Sequence, residues 1–224
     1  MDAENVLERM VGCMIAGDRT GAAQIVTEAI AHGKDQESIL IKLLDPALIQ
    51  IGELWSQEKL SMAQAFVSAK IAEDTLKRCL KLRTTSKPPF KKGVFVIGNI
   101  EEDFHSLGRS MVVTFMQVCG WTVHDLGNDV TAPKFIENAL KVGARVIGVS
   151  AMTRTTALNI RKVRDLMDER GLSGQLKLAV GGAVFNWRPE LVAEVGGDGT
   201  AVNAMRVDAL VTRLQDEAMG RISA

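Results

Sequence analysis

Beyond residue 92 the chain alternates short apolar runs with helical segments, and this alternation restricts the fold more than any other feature of the sequence. The runs suited to strands are Gly93–Ile100, Thr122–Leu126, Arg145–Ser150 and Lys177–Gly181, with a short fifth near Gly199–Val202. Helical patterns occupy Ser106–Val118, Pro133–Val142, Thr155–Arg170, Pro189–Val195 and Arg206–Met219. Short strands separated by helices imply an α/β domain with a parallel sheet covered on both faces. A five-stranded doubly wound sheet of this kind, flavodoxin-like or Rossmann-like, takes the strand order 2-1-3-4-5. It binds ligands outside the carboxyl ends of its strands, where the order reverses. The first and third strands flank that reversal, so the loops that follow them line one crevice.

Upstream the pattern is helical throughout. Val6, Met10, Val11, Met14 and Ile15 share one face; Ala22, Ala23, Ile25, Val26, Ala29 and Ile30 form a second stripe. Gly17-Asp18-Arg19-Thr20 and His32-Gly33-Lys34-Asp35 have the composition of helix stops and N-caps. A third helix is predicted over Gln36–Leu44, a fourth from Asp45-Pro46 through Trp55, and a fifth over Ser61–Leu82, together an N-terminal helical bundle. The paired prolines and polar residues of Arg83-Thr84-Thr85-Ser86-Lys87-Pro88-Pro89-Phe90-Lys91-Lys92 exclude continued helix and suit an extended connector. The expected organisation is a helical domain over 1–82, a connector over 83–92 and an α/β domain over 93–224.

The crevice carries the chemistry. After the first strand comes Asp103-Phe104-His105-Ser106-Leu107-Gly108, and the third strand ends in Ser150. A carboxylate that accepts one ring N–H fixes the imidazole tautomer and leaves the other nitrogen free as a base or metal ligand. Gly108 permits close approach to the backbone. On these residues alone a structural histidine and a functional one are equally admissible. No Gly-x-Gly-x-x-Gly follows the first strand and no Walker loop is present, which counts against dinucleotides and nucleotide hydrolysis. A phosphoacceptor receiver needs an acid after the third strand, where Ser150 stands. A flavin site needs a hydroxyl-rich phosphate loop after the first strand.

Asp103-x-His105-x-x-Gly108, then Ser150-Ala151-Met152, then Gly181-Gly182 resemble, in order, the Asp-x-His-x-x-Gly, Ser-x-Leu and Gly-Gly elements of a cobalamin-binding module. That module is shared by methionine synthase, the carbon-skeleton mutases and the corrinoid proteins of methyltransferase systems; here Met152 replaces Leu. The resemblance implies cobalamin as cofactor, His105 as the lower cobalt ligand and catalytic residue, and Asp103 hydrogen-bonded behind it. Phe104, Ser106, Leu107 and Gly108 complete that contact. Ser150, Met152, Gly181, Gly182 and Ala183 are assigned to the corrin or the displaced nucleotide tail. Thr153, Thr155 and Thr156 add hydroxyls in reach of either, or else cap the helix that begins near Thr155. Gly196-Gly197-Asp198-Gly199-Thr200 occupies the place of the family's Gly-Ala-Asp-Gly-Tyr segment, with Thr200 for Tyr.

The amino-terminal half resembles the helical cap of methyltransferase corrinoid proteins through Ile51-Gly52-Glu53-Leu54-Trp55, Leu60-Ser61-Met62-Ala63-Gln64 and Ser68-Ala69-Lys70. It resembles the cap of cobalamin light sensors as well. Those usually carry a DNA-binding domain and a Glu-x-x-His, whereas this chain reads Gln64-Ala65-Phe66-Val67. The resemblance implies a methyl carrier that accepts a methyl group on cobalt(I) from a substrate-specific methyltransferase. It would deliver that group to a methylcorrinoid-dependent acceptor methyltransferase using tetrahydrofolate or coenzyme M, with a reductive activator as a third partner. A stand-alone cobalamin sensor is the alternative. Trp55 and Phe66 are candidates to shield the upper corrin face, or else are plain core.

Composition agrees with these readings. The formal net charge is zero, the pI is about 6.8, and no basic stripe with interleaved aromatics suggests nucleic acid. Cys13, Cys79 and Cys119 are isolated in apolar helical contexts, against a disulfide framework or zinc site. The acidic start Met1-Asp2-Ala3-Glu4-Asn5 lacks the features of a signal peptide, and no apolar run reaches membrane-spanning length. The expectation is a cytoplasmic protein.

Overall fold

The structure, a computed structural model, describes residues 3–81 and 92–220. The chain divides into two compact units, Met1–Lys87 and Pro88–Ala224. Apart from Lys92, the connector expected over 83–92 lies outside the described residues.

The first unit contains α1 (Ala3–Ala16), α2 (Arg19–Ala31), α3 (Gln36–Ile39), α4 (Asp45–Ser56) and α5 (Met62–Lys81). Local chemistry sets its boundaries. The Asp18 carboxylate accepts the Gly21 N–H (2.8 Å) at the start of α2. Ser61 and Gln64 form a reciprocal capping pair before α5: the Ser61 hydroxyl accepts from Gln64 N–H, and Gln64 Oε1 accepts from Ser61 N–H. Met10, Met14, Ile25, Val26, Leu44 and Ile71 are buried between the helices. The buried Ser68 hydroxyl donates to the Met14 carbonyl (3.0 Å), tying α5 to α1.

The expected interruption at Asp45-Pro46 is not a break. A π-helical turn over Leu40–Leu44 joins α3 to α4, and the Asp45 N–H reaches back to the Leu40 carbonyl. Pro46 has no N–H and its ring crowds the carbonyl one turn before it, and the wider turn accommodates both defects without ending the helix. Trp55 and Phe66 are surface residues rather than core, 39% and 63% exposed. The Lys70 ammonium lies over the Phe66 ring, 5.6 Å from its centroid.

The second unit is the doubly wound sheet. Its elements are β1 (Gly93–Asn99), α6 (Ser106–Val118), β2 (Trp121–Asp125), α7 (Ala132–Val142), β3 (Val146–Ser150), α8 (Arg154–Leu158), α9 (Arg161–Glu169), β4 (Lys177–Gly181), α10 (Ala183–Trp187), α11 (Leu191–Glu194), β5 (Gly199–Thr200) and α12 (Val207–Ala218). All neighbouring strands are parallel, in the order β2-β1-β3-β4-β5. Val96, Ile147, Val149, Leu178 and Val180 pack with Phe135 and Ile136 of α7 and Val163 and Met167 of α9. Phe95, Ile97, Val146 and Ala179 pack on the opposite face with Met116 of α6 and Val211 and Leu214 of α12. The alternation of side chains along each strand therefore sends odd and even positions to different helix layers.

Three details differ from the sequence reading. The segment Thr155–Arg170 forms two helices, α8 and α9, with Asn159 and Ile160 between them, and Ala157, Ile160, Val163 and Met167 all belong to one buried cluster. The fifth strand is only two residues long. Helix α10 was not expected, because five residues are too few to show a period. Burial sets an energetic contrast between Phe135 and Phe66. Phe135, fully buried, should lose about 3–5 kcal/mol of stability on replacement by Ala. Phe66→Ala should change stability by less than about 1 kcal/mol, as read from urea unfolding followed by circular dichroism.

Candidate cofactor site at the carboxyl edge of the sheet

The strand register places Asn99, Ser150 and Gly181 side by side at the ends of β1, β3 and β4. Alternation along each strand puts all three on the face that packs against α6 and α12. This row is the floor of the crevice expected at the order reversal.

The loop after β1 is built around Asp103, whose side chain is fully buried. One carboxylate oxygen accepts the Asn99 amide (2.7 Å) and the His105 backbone N–H (2.9 Å). The other accepts the Met152 backbone N–H (2.7 Å) and the Thr156 hydroxyl (3.0 Å). Burial pushes the carboxyl up, but the His105 and Met152 N–H groups, the Asn99 amide and the Thr156 hydroxyl outweigh it and hold Asp103 below the ordinary carboxylate range. Around it the backbone is left-handed at Glu102 in this loop and at Asp129 in the loop after β2, with φ of 68° and 54°. The Glu102 N–H donates to the Asp129 carboxylate (2.9 Å), and Glu101 pairs with Lys162 of α9 (2.8 Å).

His105 follows as the N-cap residue of α6 and makes no side-chain capping bond. Its Nδ1 stands 3.4 Å from Asp103 Oδ1, while the side chain is 60% exposed. Phe104 beside it is 65% exposed. Ser106 and Leu107 form the partly buried first turn of α6, and Gly108 is exposed. The loop thus buries the carboxylate and presents the imidazole, with Nε2 as its outward nitrogen.

The threonines divide their tasks. Thr153 caps α8 by accepting the Thr156 N–H (3.2 Å), as the bland reading expects, while Thr155 is exposed on the first turn. Thr156 supplies the hydroxyl that reaches Asp103. Met152 contributes its backbone N–H to Asp103. Thr200, in register with Val180, lies on the face opposite to Ser150 and Gly181. Its hydroxyl is buried with no hydrogen-bond partner among the described residues.

The two glycines are not equivalent. Gly182 has φ of 112°, and a Cβ there would lie 2.0 Å from the Ala151 carbonyl oxygen. The protein's own backbone therefore demands glycine at 182. A Cβ at Gly181 would meet nothing within 4 Å. Ala183 opens α10 directly after this turn.

Sequence reasoning passed over Asn99 and Arg109. Asn99 is fully buried at the end of β1, and Arg109, on α6, is 7% exposed. Arg109 Nη1 donates to Asn99 Oδ1 (2.6 Å) and to Asn128 Oδ1, and its Nε is 2.9 Å from Asp125. An Arg one helical turn beyond His105 was the available signal.

The sequence matches a B12 binding domain family over residues 93–207, and a second family of the same description over residues 6–80. The chain belongs to the B12-binding corrinoid protein family. Its cofactor is cobalamin. It is 31% identical over 216 residues to dimethylamine corrinoid protein 1 of Methanosarcina acetivorans, spanning 96% of this chain and 99% of that protein. It is 34% identical over 217 residues to dimethylamine corrinoid protein 1 of Methanosarcina mazei (94% and 96%). It is 28% identical over 211 residues to trimethylamine corrinoid protein 1 of the same species (92% and 97%). The fold resembles that of the monomethylamine corrinoid protein of Methanosarcina barkeri, with a TM-score of 0.81 at 23% identity, covering 95% of this chain and all of that one. No helix of the described residues is long and apolar enough to cross a membrane.

The residues present fit a corrinoid. An exposed imidazole is backed by a buried, fully hydrogen-bonded carboxylate, and the row beside it ends in open space at Gly181.

Two outcomes test this geometry. Asp103→Asn turns one carboxylate oxygen into an amide that faces donors, and should cost about 3 kcal/mol at neutral pH. Because the native carboxyl is held low, its contribution is present above the unfolded pKa and is lost as pH falls through the folded value. The stability gap between wild type and Asp103→Asn should therefore close in acid, as measured by urea midpoints across pH. Gly182→Ala should destabilise the apoprotein by about 1–3 kcal/mol, whereas Gly181→Ala should leave its melting temperature within a few degrees of wild type.

Proposed function

We propose that the chain is a corrinoid methyl carrier, charged by one methyltransferase and discharged by another. The observation that carries the reading is the exposed imidazole of His105 seated 3.4 Å from the buried Asp103 carboxylate. Among the described residues no cluster of three His, Cys, Asp or Glu side chains could hold a metal ion. A single imidazole suits a metal whose other positions are filled by a macrocycle. When bound, the corrinoid supplies a cobalt that, once reduced, is a strong nucleophile toward methyl groups.

His105 would hold the cobalt through Nε2. Asp103 would accept Nδ1–H, set the tautomer and steady the ring. Thr156 would hold the far side of that carboxylate. Ser150 would hydrogen-bond the displaced nucleotide tail, with Gly181 leaving room for it on the α6 and α12 face. Phe104, Ser106, Leu107, Gly108, Met152, Thr153, Thr155, Gly182 and Ala183 would complete the wall around the corrin and tail.

The partners proposed are a substrate-specific methyltransferase, an acceptor methyltransferase serving tetrahydrofolate or coenzyme M, and a reductive activator. The relatives named for dimethylamine and trimethylamine, which align over nearly the whole chain, support methylamines as the donors.

Reconstitution tests the reading. Apoprotein with hydroxocobalamin should give a one-to-one complex whose spectrum shows histidine, not the cofactor's own base, on cobalt. His105→Ala should lose that spectrum while retaining bound cofactor through the tail. The loaded wild-type protein should accept methyl groups from a dimethylamine or trimethylamine methyltransferase. An unchanged spectrum in His105→Ala would remove His105 as the ligand, and failure to accept a methyl group from any methylamine enzyme would remove the donor assignment.

A further inference from the structure

We infer that Arg109 is a positioning residue for the cobalt ligand, acting through the carboxamide of Asn99. The inference rests on the assignment of His105 as that ligand.

His105 is held at both ends of its peptide unit. Its N–H donates to Asp103 Oδ1 (2.9 Å), and its carbonyl accepts from Asn99 Nδ2 (3.1 Å). The second N–H of the same Asn99 amide goes to Asp103 Oδ1 (2.7 Å). One carboxamide therefore pins the backbone that carries the imidazole and orients the carboxylate that faces the ring. It does so only in one of its two flipped orientations. In the other, the amide oxygen would stand against Asp103 Oδ1 and the His105 carbonyl, three acceptors with no proton between them.

Arg109 selects the productive orientation. Its Nη1 lies 2.6 Å from Asn99 Oδ1, and a guanidinium has donors but no acceptor. A flipped amide would turn its NH2 toward that cation while its oxygen met the carboxylate, so both ends of the carboxamide oppose the flip. Arg109 is in turn fixed by Asn128 Oδ1 and by Asp125 at the end of β2. The chain of contacts runs from β2 through α6 and β1 to the loop that presents His105; Arg109, Asn99 and Asp103 are buried and Asn128 is partly buried, while Asp125 and His105 stand at its exposed ends. An elongated side chain at 109 would fill the same volume without a donor, so Arg109→Met separates the hydrogen bond from packing.

The experiment uses the full chain loaded with cobalamin. In the cobalt(II) state of cobalamin whose own base carries nitrogen-15, a ligating histidine nitrogen splits the electron paramagnetic resonance lines into triplets and the cofactor's base splits them into doublets, so the triplets report the His-on fraction independently of turnover. Arg109→Met should lower the ratio of His-on to His-off about fivefold, the effect of one hydrogen bond, with bound cobalamin still stoichiometric. Arg109→Gln, which retains a neutral donor of similar reach, should restore most of the triplet signal. Asn99→Ala should lower the ratio at least as far, and adding Arg109→Met to it should lower it no further, since the two act in series. If Arg109→Met does not fold, Arg109→Leu carries the same comparison, with a similar loss expected in the wild-type background and none in Asn99→Ala. A wild-type ratio in Arg109→Met, or independent additive losses in the double variant, would overturn the inference. His105→Ala provides the separate control. Triplets that survive in it would mean that the underlying ligand assignment has failed, whereas triplets lost there but unchanged in Arg109→Met would refute the positioning role alone.

Discussion

A carboxylate taken out of water must be supplied with donors, and Asp103 is supplied by four from three stretches of chain. Asn99 ends β1, His105 opens α6, and Met152 and Thr156 belong to the turn and helix that follow β3. An ionised group buried without such partners would cost several kcal/mol, so these segments cannot drift apart without a large loss. Hydrogen bonds to a charged acceptor are stronger than neutral ones, and here they double as the struts of the crevice. The same four donors hold the carboxyl below its ordinary range, so it remains an acceptor behind the imidazole at neutral pH.

What Asp103 organises, the parallel sheet makes possible. Because β1, β3 and β4 end in register, Asn99, Ser150 and Gly181 share a row and a face. A ligand laid across that row meets an amide held by hydrogen bonds, a hydroxyl and an open glycine in succession. The outer arm, Arg109 with Asp125 and Asn128, extends the polar network across β1 to the end of β2. The site is thus two rigid layers deep, with an imidazole as its exposed element. A side chain mounted in this way would lose little freedom on meeting a ligand.

Much of this was legible in the residues. The alternation after residue 92 specified the parallel sheet and its strand order, and the motif around His105 specified the loop that carries the site. Short elements were less legible. The five-residue α10, the two-residue β5 and the π turn before Pro46 are set by backbone geometry that leaves no apolar period. In the sequence the adjacent glycines Gly181 and Gly182 are indistinguishable. The structure separates them into a glycine required by the Ala151 carbonyl and a glycine with space beside it.

The linear order of residues by itself determined that a helical half precedes an α/β half, and that Asp103 and His105, in the loop after the first strand, and Ser150, at the end of the third, fall at one end of a sheet. Periodicity and turn chemistry act over a few residues, and a sequence records them directly. Tertiary structure alone decided that Thr156 rather than Thr155 reaches Asp103, that Asn99 and Arg109 belong to the site, and that Trp55 and Phe66 lie at the surface. Those outcomes depend on which side chains meet across strands and helices far apart in the chain. A hydroxyl or a guanidinium has no preferred partner until packing brings a buried acceptor within about 3 Å of it.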